Sequence, residues 1–219
     1  MSEILDLLPD LLEQTGITLW LVAVSMVIGG ILGLVLGTAL VVTRRGGILE
    51  QPAVFWVLNV LVNTFRPVPF IILMAALQPI ARATIGTGIG DPMAVFAISF
   101  AATFGIARIV EQNLLTVEPG VIEAARAMGA GPWRIIRTVI LPEGLGPLVL
   151  GYTFVVIAVV DMSAVAGIVG GGGIGNYAIA YGFRQIDMAV VWGSLIIIVI
   201  AVQLIQLFGN WLARRILRR

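Results

Sequence analysis

The chain has 219 residues, of which 59% are hydrophobic and 11% charged, with a mean hydropathy of +1.07 and a formal net charge of +1. So few polar groups cannot cover a globular surface, which excludes an ordinary soluble domain and makes lipid the solvent; a nearly neutral chain is no match for nucleic acid either. It contains no cysteine, histidine or lysine. That removes disulfides, thiolate and imidazole catalysis, the common zinc and haem ligand sets, and any phosphate-binding loop ending in Gly-Lys-Ser/Thr. The chain is expected to hold no cofactor or metal and not to be an enzyme; any ATP hydrolysis linked to it must occur in another subunit.

The N-terminal residues are acidic (Glu3, Asp6, Asp10, Glu13), and no small-residue cleavage site follows a short apolar core, so they do not read as a cleaved signal peptide. Ile17 to Thr43 is 27 residues without a charge, more than the roughly 20 needed to cross a ~30 Å hydrocarbon core. Arg44-Arg45-Gly46-Gly47 ends this first span. A second span is expected over about 52–77, within an apolar run from Pro52 to Ala81 interrupted only by Arg66 with Pro67 and Pro69. Glycine-rich Thr84 to Pro92 reads as a turn. A third span covers about 93–110 and ends near Arg108 and Glu111. Residues 114–142 are too charged to span and form a loop. The fourth span, about 143–165, contains Asp161 and leads into Gly167 to Gly175, where six of nine residues are glycine. The fifth, about 188–213, is uncharged and is followed by Arg214, Arg215, Arg218 and Arg219. The whole of 1–219 reads as one transmembrane domain.

Five spans place the termini on opposite sides, and the arginines decide which is which. With the C-terminus cytoplasmic, the 44–45 loop, the 108–142 region and the tail bring ten of the thirteen arginines inside. Arg82 and Arg184 fall in outer loops, and the acidic N-terminus lies outside.

Within the charged loop, Glu118 to Gly129 has the marks of a short helix: proline at the first position, alanines inside, glycine for a left-handed cap. Val121, Ala124, Ala125 and Met128 share one side by i, i+3, i+4 spacing, an apolar face in the cytosol that suits a partner's groove, the membrane surface or the chain's own bundle. Pro132 starts a second helix, Trp133 to Leu141, which Pro142 should end.

Glu123-Ala124-Ala125, three residues, Gly129, nine residues, Val139, one residue, Leu141-Pro142 resembles the EAA motif of ABC-importer permeases, with valine where the family pattern has isoleucine. In that family the motif lies before the penultimate span and forms the coupling helix that sits in a cleft of the ATP-binding subunit. The resemblance implies that role for Glu123, Ala124, Ala125, Gly129, Leu141 and Pro142. Arg66-Pro67-Val68-Pro69-Phe70-Ile71-Ile72-Leu73, Ser163 to Gly167, Val169 to Gly175 and Tyr181-Gly182-Phe183 resemble segments of one branch, the methionine importers. From Arg66 onward most of the chain takes part.

Arg66 stands about 14 residues into the second span, roughly 21 Å along a continuous helix at 1.5 Å per residue. A charge there faces a wet cavity, where it meets a substrate carboxylate or holds a gate, or it satisfies carbonyls freed by Pro67 and Pro69. Asp161 is open to three readings: a partner for a substrate ammonium, a partner for Arg66 or Arg184, or a group lining a wet vestibule. Met162, Ser163 and Val165 resemble the family segment that narrows the pore, where an apolar constriction would close the path by dewetting; simple helix packing explains each of them as well. The glycines 170–173 read as an outer loop for close packing or a hinge.

The expectation is therefore an all-α integral membrane protein of about five helices with the type I ABC-importer permease fold. It would act as a homodimer with two ATP-binding cassette subunits and an extracytoplasmic substrate-binding protein, in a bacterial inner membrane. The cargo would be a small solute, methionine first, another amino acid or a betaine-like solute next. A self-sufficient ion-coupled carrier or channel using Asp161 and Arg66 is the alternative of a different class.

Overall fold

The computed structural model describes residues 7–217. Glu3 and Asp6 of the acidic segment, and Arg218 and Arg219 of the tail, lie outside the described residues. No strand occurs among the described residues, and the chain runs as ten α-helices joined by short π and 3₁₀ turns. Four helices are long and apolar enough to cross a membrane, or five spans result if one bent pair counts as a span.

Helix α1 is Leu8–Thr43. It starts nine residues before Ile17, with Pro9 in its first turn, where a missing N–H leaves nothing unsatisfied. At 36 residues it is about 54 Å long, so its outer turns project beyond a ~30 Å hydrocarbon core. It packs most extensively on α4, Gly90–Leu114. Gly29, Gly33 and Gly37 form the seam: a Cβ would lie 2.8 Å from the Ser99 carbonyl oxygen at Gly29, 2.7 Å from Ile106 Cβ at Gly33 and 2.5 Å from the Ala107 carbonyl oxygen at Gly37. Small residues four apart let two backbones approach, which is how helices associate where lipid removes the hydrophobic drive.

The expected continuous second span is corrected. Helix α2, Pro52–Phe65, and helix α3, Phe70–Ile85, meet at 114° across Arg66 to Pro69. Pro67 and Pro69 cannot donate backbone bonds; Arg66 still keeps helical angles, φ −57° and ψ −45°, and the chain is extended at Pro69, ψ 128°, before α3 begins. The chain turns instead, with the Val68 N–H donating to the Phe65 carbonyl at 3.3 Å and the Leu73 N–H to the Pro69 carbonyl at 3.0 Å. Gly86 in the left-handed region, φ 80°, then ends α3.

Helix α5, Pro119–Ala127, precedes a helical run made of α6 (Pro132–Ile135), a π turn (Ile136–Ile140), α7 (Leu141–Glu143) and α8 (Leu145–Val165). Pro142 does not end a helix as expected. The wider π turn just before it relieves the clash that a proline ring makes with the preceding turn, and helical bonding resumes from the Gly144 N–H to the Ile140 carbonyl at 3.1 Å. A 3₁₀ turn (Ala166–Val169), α9 (Ile174–Tyr177), a second π turn (Ala178–Phe183) and α10 (Met188–Leu217) complete the chain.

Candidate functional site

The main apolar cluster reaches from the membrane into the charged loop. Val41 and Val42 of α1, Val110 and Leu114 of α4, Ala125 of α5, Ile135, Ile136 and Ile140 of the next run, and Leu148 of α8 belong to it. Helix α5 is thereby seated in the bundle through its inner face, with Ala125 only 5% exposed and Ile122 packed beside it. Its C-terminus closes tightly: Gly129 takes φ 79°, its N–H donates to the Arg126 carbonyl at 2.9 Å, and the Ala130 N–H donates to the Ala125 carbonyl at 3.0 Å. These bonds satisfy carbonyls at the helix end, and a left-handed residue there favours glycine.

The structure divides the face that helical spacing groups together. Val121, Ala124 and Met128 point outward, Met128 being 82% exposed, whereas Ala125 points into the core. Trp133, 69% exposed, stands at the start of the returning helix with the Arg137 guanidinium 5.9 Å from its ring centroid. Glu123 is exposed and, with Arg126, Arg44 and Arg45, lines a cleft of about 410 Å³ between α5 and the α1–α2 loop. Leu141 is half-buried against the main cluster, and Pro142 is exposed on the returning helix, so neither lies on α5 itself.

Arg66 is exposed at the break between α2 and α3, not within a continuous helix, and its side chain makes no hydrogen bond among the described residues. The carbonyl-satisfying role is thus not realised. Asp161 is exposed on α8. Among the described residues the one ion pair is Arg108–Glu111, so the pairing of Asp161 with Arg66 or Arg184 is not formed. Ser163 is buried, 3% exposed, and its hydroxyl donates to the Val160 carbonyl at 2.7 Å, which places it inside the bundle and not on an open path in the single chain. Met162 packs on the main cluster, and Val165 on a second one with Leu73, Met74 and Leu77 of α3.

The glycine-rich loop is held by three consecutive amides. The Gly172 N–H donates to Asp91 Oδ1 at 2.7 Å, the Gly173 N–H to Gln14 Oε1 at 3.1 Å and the Ile174 N–H to Thr18 Oγ1 at 2.9 Å. Gly173, at φ 103°, also sits so close that a Cβ would lie 2.7 Å from Thr18 Oγ1. The outer extension of α1 and the first turn of α4 therefore pin this loop. Tyr177 just beyond it donates to Asp10 Oδ2 at 3.3 Å; burial first, and then the Asp10 carboxylate, raise its pKa and keep it a donor.

Three features escape the reading of the sequence. The Gly29, Gly33, Gly37 spacing is a visible signal for a helix seam. The loop clamp has none, because Gln14, Thr18 and Asp91 are far from residues 172–174 in the chain. The third, a polar cluster around Arg108, joins residues 45 and 49 positions apart.

The family described as "Binding-protein-dependent transport system inner membrane component" matches residues 29–219. The chain belongs to this family. It is 40% identical over 206 residues to the probable D-methionine transport system permease protein MetI of Vibrio cholerae, covering 94% of this chain and 92% of that one. To the Pasteurella multocida protein of the same name it is 39% identical over 211 residues, covering 94% and 97%. Its structure matches a chain of the inward-facing methionine ABC transporter MetNI with a TM-score of 0.93 at 38% identity, covering 96% of this chain and 98% of that one. The all-helical architecture is that of ABC-importer permeases, and the chain is a multi-pass membrane permease.

Proposed function

We propose that this permease forms half of the translocation path of an ATP-driven methionine importer of the bacterial inner membrane. It docks on a separate ATPase through the outward face of α5. The observation that carries this reading is the division of α5. Ala125 roots the helix in the cluster shared by α1, α4 and α8, while Val121, Ala124 and Met128 remain uncovered. A helix so rooted moves with the bundle when its outer face is pushed, and an apolar face in water calls for a groove. Gly129 and Glu123 frame that face, Gly129 by closing the helix end and Glu123 by entering the arginine-lined cleft.

The assembly comprises two copies of this chain, two ATP-binding cassette subunits and an extracytoplasmic binding protein, and this chain supplies path and gate without cofactor chemistry. Asp161 and Arg66 support the paired arrangement: both are exposed in the single chain, and charges on or beside membrane spans face water or another subunit, not hydrocarbon. Met162 and Val165 narrow the path, with Ser163 shaping α8 from within. Methionine is supported by 40% and 39% identity to two proteins named for D-methionine transport. The test is purification from native membrane, identification of co-eluting subunits by mass spectrometry, and ATP-dependent methionine uptake in proteoliposomes with unlabelled competitors. A complex without an ATPase overturns the mechanism; uptake competed equally by unrelated amino acids overturns the substrate.

A further inference from the structure

Helix α2 is apolar except for Asn59, Asn63 and Thr64, and Val62 is its one buried residue. Asn59 and Asn63 lie one turn apart, with Asn63 Nδ2 donating to Asn59 Oδ1 at 3.2 Å. Arg108 of α4 reaches across to both. Its Nη2 donates to Asn59 Oδ1 at 2.9 Å and to Asn63 Oδ1 at 2.5 Å, while Nη1 donates to Glu111 Oε2 at 2.5 Å. The Arg108 and Glu111 side chains are 17% and 8% exposed, so the guanidinium is largely withdrawn from solvent.

The position of this cluster joins two parts that must communicate. Glu111 is in the last turn of α4, and Leu114, at the end of that helix, shares the main apolar cluster with Ala125 of α5. The end of α4 and the coupling helix thus share one apolar cluster, which the coupling helix joins across the π turn Ile136–Ile140. On the other side, α2 leads to the 114° break at Arg66. A planar guanidinium with several fixed donors holds two helices in one relative position in a way that a point charge does not.

We infer that the Arg108 fork, gripping Asn59 and Asn63, is the linkage that passes displacement of the coupling helix to α2 and the Arg66 break. Arg108, Asn59 and Asn63 are positioning residues: they act on the path through α2 and do not themselves touch cargo. This inference rests on the reading of the chain as the path of an ATP-driven importer.

The test uses the full transporter in proteoliposomes and measures radiolabelled methionine taken up per ATP hydrolysed. The double variant Asn59→Leu, Asn63→Leu keeps the Arg108–Glu111 pair and puts apolar groups of similar size into a membrane helix. Its uptake per ATP is expected to fall about tenfold while hydrolysis stays within about twofold of the parent, the range of a coupling free energy. Arg108→Lys should lower the same ratio by less, because the ammonium loses the planar fork but can still donate to one of the two amide oxygens. Should the double variant not assemble, Asn63→Leu alone is read by the same ratio. An unchanged ratio, including one in which uptake and hydrolysis fall by the same factor, overturns the linkage. Parent transporter that takes up methionine without ATP overturns the importer reading itself, and that failure is visible before any variant is made.

Discussion

Ala124 and Ala125 are chemically identical neighbours with opposite tasks. The first is exposed on the outer face of α5, and the second is 5% exposed within the main cluster. Ala125→Leu must push extra methyl groups into packed neighbours, which costs about 1–3 kcal/mol. It should lower the thermal unfolding midpoint of the detergent-solubilised chain. Met128, 82% exposed, has little to lose in the free subunit. Met128→Glu should leave that midpoint unchanged and release the ATPase in a pull-down from solubilised membrane. If Met128→Glu instead lowers the midpoint while the ATPase stays bound, α5 is not divided between root and contact in this way. The charged density of residues 114–142 and the Glu-Ala-Ala spacing made the helix legible in the sequence. The division was not, because Ala125 shares a helical side with Val121 and Met128 and only the packing of Ile135, Ile136 and Ile140 beneath decides which way each points.

Between elements, the α1–α4 seam and the outer loop clamp hold the bundle at its centre and at one end. Gly33→Leu has no room at Ile106, where a Cβ alone would come within 2.7 Å. The two helices must separate, with an expected loss of about 1–3 kcal/mol; the check is the temperature at which the solubilised chain aggregates. Asp91→Ala removes the acceptor of the Gly172 N–H, a bond to a carboxylate worth about 1.5–3 kcal/mol. Hydrogen exchange of the amides at 170–174 should quicken while the α1–α4 seam keeps its protection, and unchanged exchange would mean the clamp is idle. The long apolar runs of α1, α4, α8 and α10 stand out in the sequence because crossing a bilayer demands length and apolarity at once. The break in the second run was harder to read: Pro67 and Pro69 are plain signals, yet Pro79 and Pro142 lie inside helices, so proline alone does not say where a chain turns. The nine-residue extension of α1 is hidden by its polar composition, since it is held by contacts distant in the chain, such as those of Gln14 with Gly173 and Asp10 with Tyr177.

At the scale of the molecule, the single chain leaves Asp161 uncovered on α8, while large apolar side chains such as Val35 on α1 and Phe154 on α8 are also uncovered. Apolar exposure is satisfied by lipid or by a second copy, but a carboxylate within a span is not. In the assembled transporter Asp161 therefore meets either water, in the path between two chains or a vestibule leading to it, or a polar partner on another subunit, and the proposed path role calls for water. The absence of cysteine makes the native chain its own background for probing this. In Asp161→Cys, a membrane-impermeant maleimide should label the thiol, because only hydration permits the reactive thiolate to form. The rate should differ severalfold between transporter without nucleotide and transporter held closed on ATP, since alternating access exposes the path to one side at a time. Val35→Cys, at a position 63% exposed in the single chain on the same helix as the exposed apolar residues Ile28, Ile31 and Leu32, should stay unlabelled in both states. A thiol at 161 that never reacts would place the carboxylate in a dry contact and remove it from the path. One that reacts equally in both states would keep it in water but outside the part of the path that opens and closes.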